Sequence, residues 1–438
     1  MLSAVRKGTS LTAACLLLSV ACGWGSSPAP APIKTLHIGV DLPLTGADSR
    51  ATLPALNGVR FYVQQHPSIA GFQVSIVPLD DTVNGRSNAK QGVANLENFI
   101  SDSNLVAVIG PFNAGLARKE IPIANVASLA MISPATSNPC LTKDVFLPSQ
   151  LNPSRAELKC KDAGLPSAAD LRPLHNNNFF RLATTDALQG PAAADYAFKT
   201  LHLRRIASIS DHEAYGQGLA AAFSSRFQRL GGTVTGYLDV DIKAQPDVTA
   251  FLKQAKAAIT QAVYFGGFDR GCVIRAQMAT IFDAGEAVPF LGGDGIAHDP
   301  VCIKDAGTNT AGILATVPLV NADTIPGAAV TIKAFKAAYA NPMDYGPYTM
   351  VAYDATAVLY RALDLAVREA GGQLPPRASV VKHLAETADF AGTTGTFGFD
   401  KAGDTTNRVV TIFRPAVVDP RGPWKYVDSV DYSAALPY

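Results

Sequence analysis

The sequence predicts an α/β protein built of two doubly wound parallel-sheet lobes. Two observations carry this. Short apolar runs alternate with longer helical patterns along most of the 438 residues, and repeated strand–helix units build parallel sheets covered by helices. The apolar runs also lack the period-two alternation of a half-exposed strand, so their sheets are buried on both faces. At about 150 residues per domain, the length accommodates two large lobes.

The first series opens with a strand over 36–42 (LHIGVDL) and a helix over 53–65. A strand over 72–78 precedes a helix over 87–101. LVAVI at 105–109 is a strand, followed by a helix over 114–126 and a strand over 129–132. Residues 138–178 interrupt the rhythm. They are polar, rich in Pro and Asn, and contain Cys140 and Cys160. A loop that long is unusual unless functional or stapled, so we expect a surface excursion closed by a disulfide. The second series has strands over 179–182, 205–210, 233–237 and 262–265, and another beginning at 290–292. Its helices run to 200 and over 218–230, 248–258 and 271–284. Beyond 395, β-like runs recur at 409–413 and near 424–427.

Apolar residues make up 48% and charged residues 17%, which excludes a disordered chain or a coiled coil. Lys plus Arg is 37 against 36 for Asp plus Glu. Without a basic excess, nothing points to nucleic acid or to an anionic membrane surface.

The N-terminus reads as an export signal. Arg6 and Lys7 precede an uncharged run over 11–22, LTAACLLLSVAC. A spanning helix needs about 20 residues, so this is a signal-peptide core. Ser19, Val20 and Ala21 fit ordinary cleavage. Residues 18–22 also resemble a lipobox, with the apolar residue one position early. The Gly/Ser/Pro/Ala stretch after Cys22 favours the second reading, because a tethered domain needs a flexible spacer. The expectation is a signal peptide over 1–21, lipidation at Cys22 and a linker over 22–35. The protein then sits in the periplasm or on the outer face of a membrane; plain secretion is the alternative.

Besides Cys15 and Cys22, four cysteines remain: Cys140, Cys160, Cys272 and Cys302. In an exported chain an even remainder points to disulfides. Of three connectivities, the sequence-local pairs 140–160 and 272–302 are the simplest. No zinc-type spacing occurs, so no metal site is expected.

Ligands of open parallel sheets bind beyond the carboxyl ends of strands. The turns to search are PFNAG at 111–115, SPATSNP at 133–139, 211–216, 266–269 and 293–295. A helix start after 113 can hold an anion, and the second turn is full of hydroxyls and backbone donors. If these two turns face the other three across a cleft, anion donors oppose aromatics and a carboxylate, which suits a molecule bearing an acid and an amine. Each feature has a plainer reading. Loop aromatics pack lobes together, and Asp294 between glycines caps a turn. Asp211, His212 and Glu213 point in different directions, which disfavours a metal site. Gly216-x-Gly218 starts too far after its strand for a dinucleotide turn. No GxSxG, HExxH, GxxxxGK[ST] or SxxK motif occurs, so no catalytic residues and no cofactor are expected.

At these loops the sequence resembles the type I periplasmic binding proteins, specifically the leucine/isoleucine/valine-binding family of ABC-transporter receptors. The carriers are HIGVDLPLTG at 37–46, VAVIGPFNAG at 106–115, ISPATSNPCLT at 132–142 and DHEAYGQGLA at 211–220. VYFGGFDR at 263–270, FLGGDGIA at 290–297, YDA at 353–355 and GTFGFDKAGD at 395–404 complete them. The resemblance implies two lobes joined by a three-crossover hinge near 185, 318 and 398. Lobe one would be 33–185 plus 319–397; lobe two would be 186–318 plus 398–438, with the C-terminal tail. It implies that the Ala135 backbone and the Ser137 hydroxyl hold a ligand carboxylate, and that Tyr215 covers the ligand. Asp294, shortened from the family's glutamate, would pair with the ligand ammonium. Residues 50–53 and Phe112 would touch the ligand side chain. Ala114 stands where many relatives carry serine, and Phe268 where tyrosine is frequent. The excursion at 138–178 exceeds the family pattern. The implied function is a monomeric, non-enzymatic receptor that delivers an amino acid of branched-chain type to an ABC permease. The alternatives are a sensor or secreted enzyme on the same fold, or a receptor for a small amide or organic acid.

Overall fold

The structure is a computed structural model. It describes residues 34–46, 48–147, 158–241, 247–282, 288–416 and 424–434. The signal peptide and Cys22 lie outside the described residues.

The first sheet contains β1 (Thr35–Leu42), β2 (Ser68–Ile69), β3 (Phe72–Asp80), β4 (Leu105–Ile109), β5 (Ala130–Ser133) and β6 (Phe179–Arg181). Their spatial order is β2-β3-β1-β4-β5-β6. All neighbours are parallel except the β2–β3 edge pair. Helices α1 (Ser49–Gln65), α2 (Ala89–Ser101) and α3 (Ala114–Val126) alternate with these strands. In β1, Leu36, Ile38, Val40 and Leu42 bury themselves in one core. Gly39 faces the other side, where an added Cβ would stand 3.1 Å from the Phe99 ring of α2. Burial on both faces is why these strands show no alternation.

The second sheet contains β7 (Arg205–Ser210), β8 (Thr233–Asp239), β9 (Ala262–Gly266), β10 (Phe290–Gly292), β11 (Ile313–Val317), β12 (Val409–Pro415) and β13 (Trp424–Asp431). The order is β8-β7-β9-β10-β11-β12-β13, with β12 and β13 forming an antiparallel edge. Helices α4 (Asp186–Asp195), α5 (Ala214–Arg229), α6 (Thr249–Ala257), α7 (Cys272–Ile281) and α8 (Pro300–Ala306) belong to this series. The chain then supplies α9 (Ala329–Ala338), α10 (Thr349–Glu369) and α11 (Arg377–Ala385). Residues of α10 and α11 share the first sheet's core. We call each sheet with its covering helices a lobe.

Several helix bounds differ from the sequence expectation; α1 starts at Ser49 instead of 53, and α7 ends at Ile281 instead of 284. α5 starts four residues before 218, where the Asp211 carboxylate accepts the Glu213 N–H at 3.0 Å and shapes the turn before the helix. α4 ends at Asp195 and passes into a single π turn over Tyr196–Thr200. Disulfides join Cys140 to Cys160 and Cys272 to Cys302, as the sequence-local pairing expects. Closing a loop of 20 residues is worth about 3 kcal/mol in the chain-entropy picture.

Three acids are buried between the first sheet and its α2/α3 layer: Asp41, Asp81 and Glu120. Asn95 Nδ2 donates to Asp41 Oδ1 at 2.7 Å. Burial pushes the Asp41 carboxyl up to about 7, with the Asp80 charge adding to it. Burial and then the Asp41 charge push Asp81 up to about 8. Burial, followed by Asp41, holds Glu120 well above the usual carboxylate range. Acids raised by folding keep protons that the unfolded chain has already lost. Stability is therefore expected to fall as pH rises from about 4 to about 8. Glu120→Gln should flatten that slope and raise the melting temperature at pH 8 by roughly 2–4 °C, the shift about 1 kcal/mol gives a large domain. Calorimetric scans at pH 5 and pH 8 check it; an unaltered slope refutes it.

Candidate ligand-binding site

Asp294 lies in the turn after β10 and gathers donors from three helices. Gln189 Nε2 of α4 reaches Asp294 Oδ1 at 2.9 Å. The Tyr215 hydroxyl, in the first turn of α5, donates to the same oxygen at 2.6 Å. The Tyr348 hydroxyl, at the start of α10, donates to Oδ2 at 3.0 Å. Tyr348 belongs to the first lobe's core, so the two lobes meet at this carboxylate. Asp294 is no simple turn cap, since all three donors come from other elements. Burial, followed by the Asp294 charge, pushes both tyrosines well above their usual value, so both keep the proton they donate.

The turn tolerates only glycine on either side of Asp294. A Cβ at Gly293 would stand 2.5 Å from the Tyr215 hydroxyl oxygen, and one at Gly295 would stand 2.3 Å from the Gly267 carbonyl oxygen. A second contact between the lobes joins Arg50 Nη1 to Asp299 Oδ1 at 3.5 Å. That pair is partly exposed and contributes little energy.

A second carboxylate stands close by. Asp186, the first residue of α4, is 5% exposed. Its N–H donates to the Ser137 carbonyl at 2.9 Å. Burial pushes its carboxyl up to about 7; the Asp294 charge adds to this, while the Ser137 hydroxyl and Arg181 oppose it. Its Oδ1 and Gln189 Oε1 are buried and accept no hydrogen bond among the described residues. Gln189 Oε1 can only accept, and so can Asp186 Oδ1 once the carboxyl is ionised. The chemistry this corner still lacks is a donor, and a cationic one fits best.

Aromatic rings wall the corner. Phe268 packs on Tyr215 with ring centroids 4.2 Å apart. Phe112 meets Tyr348 edge-on at 4.9 Å. The structure thus brings Tyr215, Phe268 and Asp294 into one cluster. It joins Phe112 to that cluster through Tyr348, and Ser137 through Asp186.

Ala135 fits its sequence-assigned role less well. Its N–H donates to Ser133 Oγ at 3.2 Å, as does the Thr136 N–H at 3.0 Å. A serine hydroxyl thus takes the donor that the resemblance gives to a ligand carboxylate. Ala114 opens α3, and the Asn113 side chain caps none of that helix's N–H groups. Asn113 Nδ2 instead donates to Ser87 Oγ at 2.6 Å. Of residues 50–53, Arg50 turns to Asp299 and Leu53 is exposed. His212 pairs with Asp239 at 2.7 Å. Among the described residues no group of three His, Cys, Asp or Glu is arranged to hold a metal.

Sequence reasoning missed Asp186, Gln189 and Tyr348. The loop after FFR at 179–181 is another strand end, and searching it would have found Asp186. Gln189 sits inside a helix, and Tyr348 sits in a stretch with no assigned element. Neither carried a signal.

A profile of the periplasmic binding protein family matches residues 35–419. The Leu/Ile/Val-binding protein homolog 3 of Brucella melitensis is 28% identical over 406 residues, covering 91% of this chain and 96% of that protein. The leucine-binding protein LivK of Thermotoga maritima superposes with a TM-score of 0.69 at 22% identity, covering 90% of this chain and 99% of that one. LivJ of Streptococcus pneumoniae, solved with isoleucine, gives 0.67 at 19% identity, covering 91% and 99%. At those identities the two structures speak to the fold.

Proposed function

We propose, since the chain belongs to the periplasmic binding protein family, that it is the extracytoplasmic receptor of an ABC importer. It takes an amino acid of branched-chain type in the interlobe cleft and presents it to a membrane permease. The Brucella relative's name and the isoleucine in the Streptococcus structure support that ligand class. The observation that carries the reading is the acceptor-rich corner at Asp294 and Asp186. The ligand ammonium binds there. The start of α3 near Ala114 takes the carboxylate; the Ser137 hydroxyl, already hydrogen-bonded to Asp186, does not. Phe112, Tyr215, Phe268 and Tyr348 surround the aliphatic part.

The lobes divide as 33–185 with 319–397, and 186–318 with 398–438. Two separate sheets, and α10 and α11 on the first sheet's core, support this division. The mature chain is anchored through lipidated Cys22 and works as a monomer. An organic-acid receptor is the weaker reading, because two carboxylates would repel such a ligand.

A thermal-shift screen of amino acids, amides and organic acids tests the proposal. A ligand at 100 times its Kd stabilises by about 2.7 kcal/mol, which the screen resolves. Stabilisation by organic acids alone would overturn it.

A further inference from the structure

The Cys140–Cys160 excursion leaves the first sheet after β5 and rejoins it at β6, yet Phe146, Leu147 and Leu158 within it pack on the second lobe. Leu147 and Leu158 exchange backbone hydrogen bonds at 3.1 and 3.0 Å, and the Phe146 N–H also donates to the Leu158 carbonyl at 2.9 Å. This short ladder carries an apolar patch. Leu147 clusters with Ala222 of α5, and Phe146, Leu158 and Ala221 pack against them. The Phe146 ring approaches so closely that a Cβ on Gly218 of α5 would stand 2.7 Å from it. The base of the ladder is fixed. Cys140, Cys160 and Leu165 form a buried cluster that also touches Phe146. Lys143 also reaches the second lobe's C-terminal segment just past the crossover near 398, pairing with Asp400 at 3.3 Å and Asp404 at 3.0 Å, and Asp404 pairs with buried Arg181 of the first lobe at 2.7 Å. The helix on which this ladder sits is the one that brings Tyr215 to Asp294.

We infer that residues 139–147 and 158–165 form an interlobe strap, a disulfide-fixed arm of the first lobe that docks on α5 and favours the arrangement in which Tyr348 meets Asp294. Contacts made in only one arrangement shift the equilibrium toward it, and lobed receptors move as hinged bodies. The strap thereby slows ligand release; that consequence alone rests on the receptor reading, while the docking does not.

Two variants test it from opposite sides. Phe146→Ala removes a half-buried ring. Gly218→Ala pushes the ring off while improving α5's own helix propensity, so a shared effect cannot come from a weakened helix. Small-angle scattering and amide hydrogen exchange are measured on the full-length exported protein, and release of L-leucine by stopped flow. Both variants should enlarge the radius of gyration and speed exchange over 215–222. Leucine release should become roughly tenfold faster, equivalent to about 1.4 kcal/mol. Wild-type scattering and exchange in both variants would overturn the strap. If leucine fails to bind the wild type, the receptor reading for leucine falls, and scattering and exchange still decide the strap.

Discussion

Asp294→Asn is expected to weaken binding of L-leucine by two orders of magnitude or more, with the melting temperature of the unliganded protein nearly unchanged. The ligand ammonium would lie in a buried corner, and removing one partner of a buried charge pair typically costs about 3–5 kcal/mol. Each 1.4 kcal/mol is tenfold in Kd. Stability should survive, because asparagine keeps a carbonyl for the Tyr215 and Gln189 donors that now reach Oδ1. Its amide group can donate to the Tyr348 hydroxyl that now donates to Oδ2. Were Asp294 a structural residue only, the pattern would invert, with a lower melting temperature and intact affinity. Titration calorimetry beside a thermal scan separates the two outcomes. Intact affinity for leucine would remove the ammonium from this corner and turn the reading toward an amide or an acid.

The parallel strands were legible because burial on both faces leaves an unbroken apolar run, as at LVAVI over Leu105–Ile109. The disulfides were legible because an exported chain with four spare cysteines has few simple pairings. Helix α10 was not assigned, although it is the longest among the described residues at 21 residues. Its buried positions include runs such as Ala355 to Tyr360, so burial on most sides blurs the period that marks an amphipathic helix. The site was half legible. Tyr215, Phe268 and Asp294 sit in turns after strands, where topology directs a search. Gln189 and Tyr348 reach Asp294 across 105 and 54 residues of sequence, and only the folded chain brings them together. The Ala135 N–H shows a different limit. Ser-Pro-Ala-Thr offers both an anion-binding loop and a local serine turn, and here the serine hydroxyl takes the N–H.

Asp186 gives the second large effect, and it should appear as a pH dependence. Burial pushes its carboxyl up to about 7, so below neutrality it holds a proton and cannot serve a ligand ammonium fully. Between pH 7.5 and pH 5.5, affinity for leucine is expected to fall more than tenfold as the ionised form is depleted. Unliganded stability should run the other way. A raised acid holds its proton in the folded state after the unfolded chain has lost it, so stability falls as pH rises from about 4 to about 7. Asp41, Asp81 and Glu120 contribute to that stability slope, so the affinity slope is the specific readout. Asp186→Asn should flatten it and lower affinity at pH 7.5, because the neutral amide cannot offset the ligand charge. Asp211, raised by burial to about 6, is the control. It accepts the Phe268 N–H at 3.0 Å behind the aromatic wall, so Asp211→Asn should leave the affinity slope in place. Titration calorimetry of the three proteins from pH 5.5 to 7.5 decides. A flat wild-type profile would mean that the ammonium is held by Asp294 alone and that Asp186 serves only to hold the Ser137 loop against α4, and a slope that persists in Asp186→Asn would assign the pH dependence to another group.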